Sequence, residues 1–182
     1  MKRGRSELTG GTGDVSPQLL SMQLTTSAAN TFTQSEIPLP VNRFREKGKS
    51  VICIELLKSY WDLGELDNNN AAGGNVLSVQ AQLSTASQAT VDSAHTQVVA
   101  YAFRNYRGAF TAAGTFQAIN LEPFVVDHTD GAGHGIMIAT DNIFFAATSS
   151  GFTGATTCKA KVLYRFKQIT LEEYIGIVQS QQ

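Results

Sequence analysis

From residue 51 onward the chain alternates between apolar and polar positions. In "VLSVQAQL", Leu77, Val79, Ala81 and Leu83 fall on one side and Ser78, Gln80 and Gln82 on the other, the period-two pattern of a half-buried antiparallel strand. "VICIELLKSYWDL" is rich in β-branched and aromatic residues, and the adjacent Leu56 and Leu57 break its alternation as a bulge would. A helix is the rival reading of that segment. Further strands are predicted in "TQVVAYAFRNY", "GTFQAINL", "EPFVVDH", "GIMIAT", "NIFFAATSS" and "CKAKVLYRFKQ". Turns rich in Gly, Asn and Ser separate them at "DNNNAAGGN", "DGAGHG", "TDN" and "SSGFTGAT". An edge strand is expected in "TFTQSEIPLPV", because Pro38 and Pro40 lack the amide that a central strand must donate.

The one helix the pattern predicts is "LEEYIGIV", kept short by Gly176. Eight or nine strands without intervening amphipathic helices exclude βαβ architectures and indicate a β-sandwich. At 182 residues the chain exceeds the ~100 of an immunoglobulin-like domain, which favours a single eight-stranded jelly roll. Residues 1–30 lack sustained periodicity and contain "GGTGDVSP", so they read as an extended N-terminal arm. The jelly-roll domain is then 31–182, with a short C-terminal tail.

Composition adds two points. Only 16% of residues are charged, against roughly 25% in an average soluble domain, and so neutral a surface leans towards self-association. The first residues carry cations with no apolar run behind them, and no stretch approaches the ~20 apolar residues of a membrane span, so no signal peptide and no membrane partner are expected. Cys53 and Cys158 lie in apolar alternating segments and read as small buried hydrophobes. Trp61 and the ten phenylalanines, spread at strand spacing, read as core.

The densest polar group is "DHTDGAGHG", with Asp127, His128, Asp130 and His134. Its spacing matches neither zinc nor EF-hand loops, and Gly131, Gly133 and Gly135 suit a tight turn with positive φ. No metal, no other cofactor and no catalytic residue is expected. "GGTGD" lacks the Gly-Lys-Ser/Thr ending of a phosphate loop, and no Gly-x-Ser-x-Gly elbow occurs.

The cations are more informative. Of fourteen Lys and Arg, three lie in the first five residues, four between Arg43 and Lys49, and four between Lys159 and Lys167. In the last cluster Cys158, Ala160, Val162, Tyr164 and Phe166 form one face of a strand, while Lys159, Lys161, Arg165 and Lys167 stand on the other with Leu163 and no acid. Either acidic groups of a neighbour or the phosphates of a nucleic acid would take that charge.

The segments "MKRGRSELTGGTGDVSPQ", "GKSVICIELLKSYWDL", "DGAGHGIMIATDNIFF" and "YRFKQITLEEYIGIVQSQQ" together resemble capsid proteins of small circular Rep-encoding single-stranded DNA viruses, in particular unclassified environmental and marine members. The resemblance implies a virion protein, made in a host cell, whose jelly roll self-assembles into an icosahedral shell around circular single-stranded DNA. The simplest shell would be a T=1 homo-oligomer of about 60 copies built from pentamers. It also implies a lumenal nucleic-acid face, for which Lys2, Arg3, Arg5, Lys159, Lys161, Arg165 and Lys167 are the candidates. Circovirus capsids carry a long Arg-rich arm, whereas this arm offers only Lys2, Arg3 and Arg5. Two other readings stand beside the capsid: a carbohydrate- or ligand-binding β-sandwich using "YAFRNYRGAF" as its contact loop, and a metal-dependent jelly-roll enzyme resting on His128 and His134.

Overall fold

A computed structural model describes residues 16–41, 50–64, 77–106 and 124–181. In them the alternating segments form nine strands: β1 (Gln18–Thr25), β2 (Thr33–Pro38), β3 (Ser50–Asp62), β4 (Leu77–Ser84), β5 (Val98–Tyr106), β6 (Phe124–Asp127), β7 (Ile136–Ile138), β8 (Asn142–Ser150) and β9 (Thr157–Thr170). The helix α1 (Leu171–Ser180) follows. Two antiparallel sheets result. One runs β1-β9-β3-β6, with β7 also on β3, and the other runs β2-β8-β4-β5.

Both β6 and β7 pair with β3, so they share one strand position interrupted by residues 128–135. Counted that way there are eight positions, and their pairing is nested. The first strand pairs with the last, β2 with β8, β3 with β6 and β7, and β4 with β5. This nesting, laid across two sheets, is the jelly roll.

Alternation places the core. Leu77, Val79, Ala81 and Leu83 of β4 are buried, as are Cys158, Ala160, Val162 and Tyr164 of β9. They meet Ile54, Leu56 and Trp61 of β3 and Ile143, Phe145 and Ala147 of β8 in one apolar cluster. The Trp61 and Phe145 rings lie 6.1 Å apart across the sheets. Each fully buried large side chain contributes about 1.5–3 kcal/mol, so the sandwich closes on its own interior. Cys53 and Cys158 are both buried and are not disulfide-bonded.

The expected bulge is present, since the β3–β9 register shifts between Leu56 and Lys58. The helix also forms. Thr170 caps it, its hydroxyl accepting from the Glu173 amide while the Glu173 carboxylate reaches back to the Thr170 amide. Gly176 sits within α1 rather than ending it. Tyr174, Ile177 and Val178 of α1 cover Val51, Cys53 and Ile169 on the outer side of the β3–β9 pair.

One boundary differs from expectation. Gln18–Thr25, read from sequence as arm, is β1 and pairs along its length with β9. It is an outer strand with only Met22 and Leu24 buried, so its alternation is too sparse to stand out. The turn "DNNNAAGGN", the strand "GTFQAINL", the Arg43–Lys49 cluster and Lys2, Arg3 and Arg5 lie outside the described residues.

Candidate functional site

The cationic face of β9 lies on the outer side of the first sheet. Cross-strand register puts Lys159 opposite Asp62, Lys161 opposite Tyr60, and Arg165 opposite Glu55 on β3. On the other flank, Lys161 faces Ser21 and Leu163 faces Leu19 of β1. Val125 and Asp127 of β6 extend the same rows beyond Tyr60 and Lys58. These rows make one continuous surface, covered at one end by α1.

Its centre is a buried carboxylate. Glu55 is 0% exposed, and its Oε2 accepts from Arg165 Nε at 2.5 Å while its Oε1 accepts from Lys167 Nζ at 3.2 Å and from the Gly135 amide at 3.0 Å. Arg165 also donates to the Gly133 carbonyl. Burial pushes the Glu55 carboxyl up, but the bonds from Arg165, Gly135 and Lys167, with the charge of Lys167, outweigh it and hold it below its ordinary value. This corrects the expectation that the charge of the face is met from outside the chain: the acid for Arg165 and Lys167 comes from the adjacent strand. Lys159 stands 3.7 Å from Asp62, and Lys58 stands 3.1 Å from Asp127. Five cations against three carboxylates leave the face with two net positive charges. Among the described residues Lys161 has no ion-pair partner, and it is exposed.

The "DHTDGAGHG" segment is a tight connection between β6 and β7. Asp127 Oδ1 accepts from the amide and hydroxyl of Thr129, which hold that carboxyl down at about 2, with Lys58 adding to the effect. Asp130 Oδ1 accepts from the amides of Ala132 and His134, and its Oδ2 lies 3.1 Å from His134 Nδ1. Gly131 and Gly133 have φ of 82° and 89°, as a turn of this kind requires. Gly135 serves differently from expectation: a Cβ there would lie 2.1 Å from the Leu56 carbonyl oxygen. The loop therefore clamps the bulge from both ends, since the His128 amide also donates to the Leu57 carbonyl at 2.9 Å.

His128 engages Ser59 on β3. Trp61 Nε1 donates to Ser59 Oγ, which lies 2.8 Å from His128 Nε2. The Ser59 hydroxyl accepts from the indole and shares a second hydrogen bond with His128, whose direction follows the imidazole tautomer. Burial lowers the His128 pKa, with Asp127 opposing. His134 is held instead by Asp130 on the exposed turn, so the two histidines engage different partners. No group of three or more His, Cys, Asp or Glu able to hold a metal occurs among the described residues.

The rival contact loop changes character as well. Tyr101–Tyr106 of "YAFRNYRGAF" belongs to β5 and pairs with β4, so it is strand rather than loop, and residues 107–110 lie outside the described set. No helix among the described residues is long and apolar enough to cross a membrane.

No protein-family model matches the chain, and no curated protein sequence does. Solved structures do. VP1 of trichodysplasia spinulosa-associated polyomavirus, in complex with GM1 oligosaccharide, has a TM-score of 0.55 at 10% identity over 88% of this chain and 97% of VP1. Apo New Jersey polyomavirus VP1 has a TM-score of 0.51 at 7% identity over 85% of this chain and all of that one. The Merkel cell polyomavirus VP1 unassembled pentamer has a TM-score of 0.51 at 9% identity, covering 87% and 98%. At such identities the likeness is one of fold: a jelly-roll β-sandwich like that of VP1.

Proposed function

We propose that this chain is a capsid subunit that self-assembles into an icosahedral shell around circular single-stranded DNA, most simply about 60 copies grouped as pentamers. The observation that most supports a shell is the nested jelly-roll pairing together with apolar side chains left exposed on the outer strands of one sheet. Leu19 on β1 is 62% exposed, and Phe124 and Val125 on β6 are 46% and 50% exposed. These residues flank the sheet on its two sides, where contacts between copies would cover them at about 25 cal/mol per Å² of apolar surface buried. A surface with few charges favours the same association.

The lumenal role falls to the outer face of the β1-β9-β3-β6 sheet and to the arm. Among the described residues Lys161 is the cation of that face without an ion-pair partner, while Lys159, Arg165 and Lys167 contribute only what Asp62 and Glu55 leave over. Lys2, Arg3 and Arg5 supply the rest. Enclosure is tested by treating purified particles with DNase and RNase and extracting what survives. Protected single-stranded DNA supports the proposal, and its loss from shells of a Val125→Asp, Phe124→Ser variant that no longer close would tie protection to assembly. Intact wild-type shells that protect no nucleic acid would overturn the genome-enclosing part.

A further inference from the structure

The charged groups of the Glu55 cluster and of the Asp130–His134 turn already have partners within the chain, and nothing in the structure says what covers Leu171 and Ile175 on α1. The end of the outer sheet face away from α1 is different. There a hollow of about 320 Å³ is lined by Tyr60, Trp61, Asp62, Lys159, Ala160 and Lys161. That volume is at the small end of the ~300–1,000 Å³ typical of small-ligand sites.

We propose that this hollow receives one nucleotide of single-stranded DNA, with the base stacked on Tyr60 and the adjoining phosphate on Lys161. The proposal rests on the genome-enclosing reading and gives it a site. Tyr60 is half-buried, and in register it stands opposite Lys161 of β9. An aromatic side chain beside a cation without an ion-pair partner among the described residues is the arrangement that grips unpaired bases without reading their identity. A duplex keeps its bases stacked inside and offers this site phosphates alone. Asp62 sits in the same hollow 3.7 Å from Lys159, where its carboxylate both neutralises that cation and repels a phosphate. It should therefore limit the affinity.

The test is fluorescence anisotropy of a labelled oligothymidylate with the full chain, repeated with the matching duplex and with polyphosphate as competitors. Tyr60→Ala should weaken single-strand binding roughly ten-fold, leaving competition by polyphosphate unchanged, while Tyr60→Phe should bind like wild type. Lys161→Gln should weaken both ligands and reduce the salt slope by about one. Asp62→Asn should tighten both. Equal affinity for single strand and duplex, or Tyr60→Ala binding like wild type, would overturn the site. So would a Tyr60→Ala variant changed only in self-association, which would make the hollow an interface between copies. Light scattering on the same samples separates the two proposals: shells with Tyr60-independent binding sink the site alone, and Tyr60-dependent binding without shells sinks the capsid reading alone.

Discussion

Replacing Glu55 by Gln removes the carboxylate beneath Arg165 and Lys167 while keeping its size. The carboxylate is fully buried, the Arg165 side chain is 17% exposed and that of Lys167 is 38% exposed. Removing one partner of a buried ion pair costs about 3–5 kcal/mol, because the remaining charge loses its compensation. Lys167 reaches solvent, so its share is largely screened, and the Arg165 bond dominates. The expected loss is therefore about 3 kcal/mol, which in a chain of this size lowers the melting temperature by roughly 6–12 °C. Circular dichroism melting of dissociated subunits at pH 7 reads this directly. The pH dependence checks the cause. The folded-state pKa of Glu55 lies below its ordinary 4.5, so its stabilisation is fully present above 4.5 and is lost as pH falls through the folded value. The gap between wild type and Glu55→Gln should accordingly narrow below pH 4.5. A variant melting within about 2 °C of wild type, or a gap undiminished in acid, would refute the reasoning.

Three further outcomes are expected. Gly135→Ala should destabilise by at least ~1–3 kcal/mol, because its Cβ meets the Leu56 carbonyl oxygen at 2.1 Å, and thermal melting would show it. His128→Ala should cost about 1–3 kcal/mol at pH 7.5 by removing a hydrogen-bond partner of the buried Ser59 hydroxyl; in wild type this stabilisation is present above the ordinary 6.5 and lost as pH falls through the lowered folded value, so the difference in melting temperature should shrink at mildly acid pH. Cys53 and Cys158 should resist a thiol reagent until denaturant is added and then both react, since each is 0% exposed and burial pushes the Cys158 thiol up to about 12.

The strands that bury one face fully were legible in the sequence. The apolar sides of β4 and β9 are buried as the alternation predicts, from Leu77 to Leu83 and from Cys158 to Tyr164, although Gln82 and Ser84 on the polar side of β4 are buried too, and the paired Leu56 and Leu57 mark the bulge. β1 was not legible, since an outer strand with two buried positions in eight resembles a polar arm. Lys159, Lys161, Arg165 and Lys167 do share one side of β9, but the carboxylate beneath two of them was missed. Glu55 lies 110 residues from Arg165 in sequence, and only strand pairing joins them. A signal existed: a lone acid inside the apolar run "VICIELL" must find a cation if that run becomes a strand within a sheet. Thr170 and Glu173 likewise carried the spacing of a capping box ahead of α1. The close approach of Gly135 to the bulge depends on two distant backbones meeting, and no local pattern records it.

Mass photometry of the purified full chain tests the capsid reading most directly. A subunit of 19.6 kDa assembled as about 60 copies gives a closed particle of roughly 1.2 MDa. The account predicts a discrete megadalton population under at least one salt and pH condition, with Val125→Asp and Phe124→Ser together returning it to subunits or small rings. A wild-type chain that stays at the mass of a monomer or trimer across the whole series, at high concentration, would contradict it.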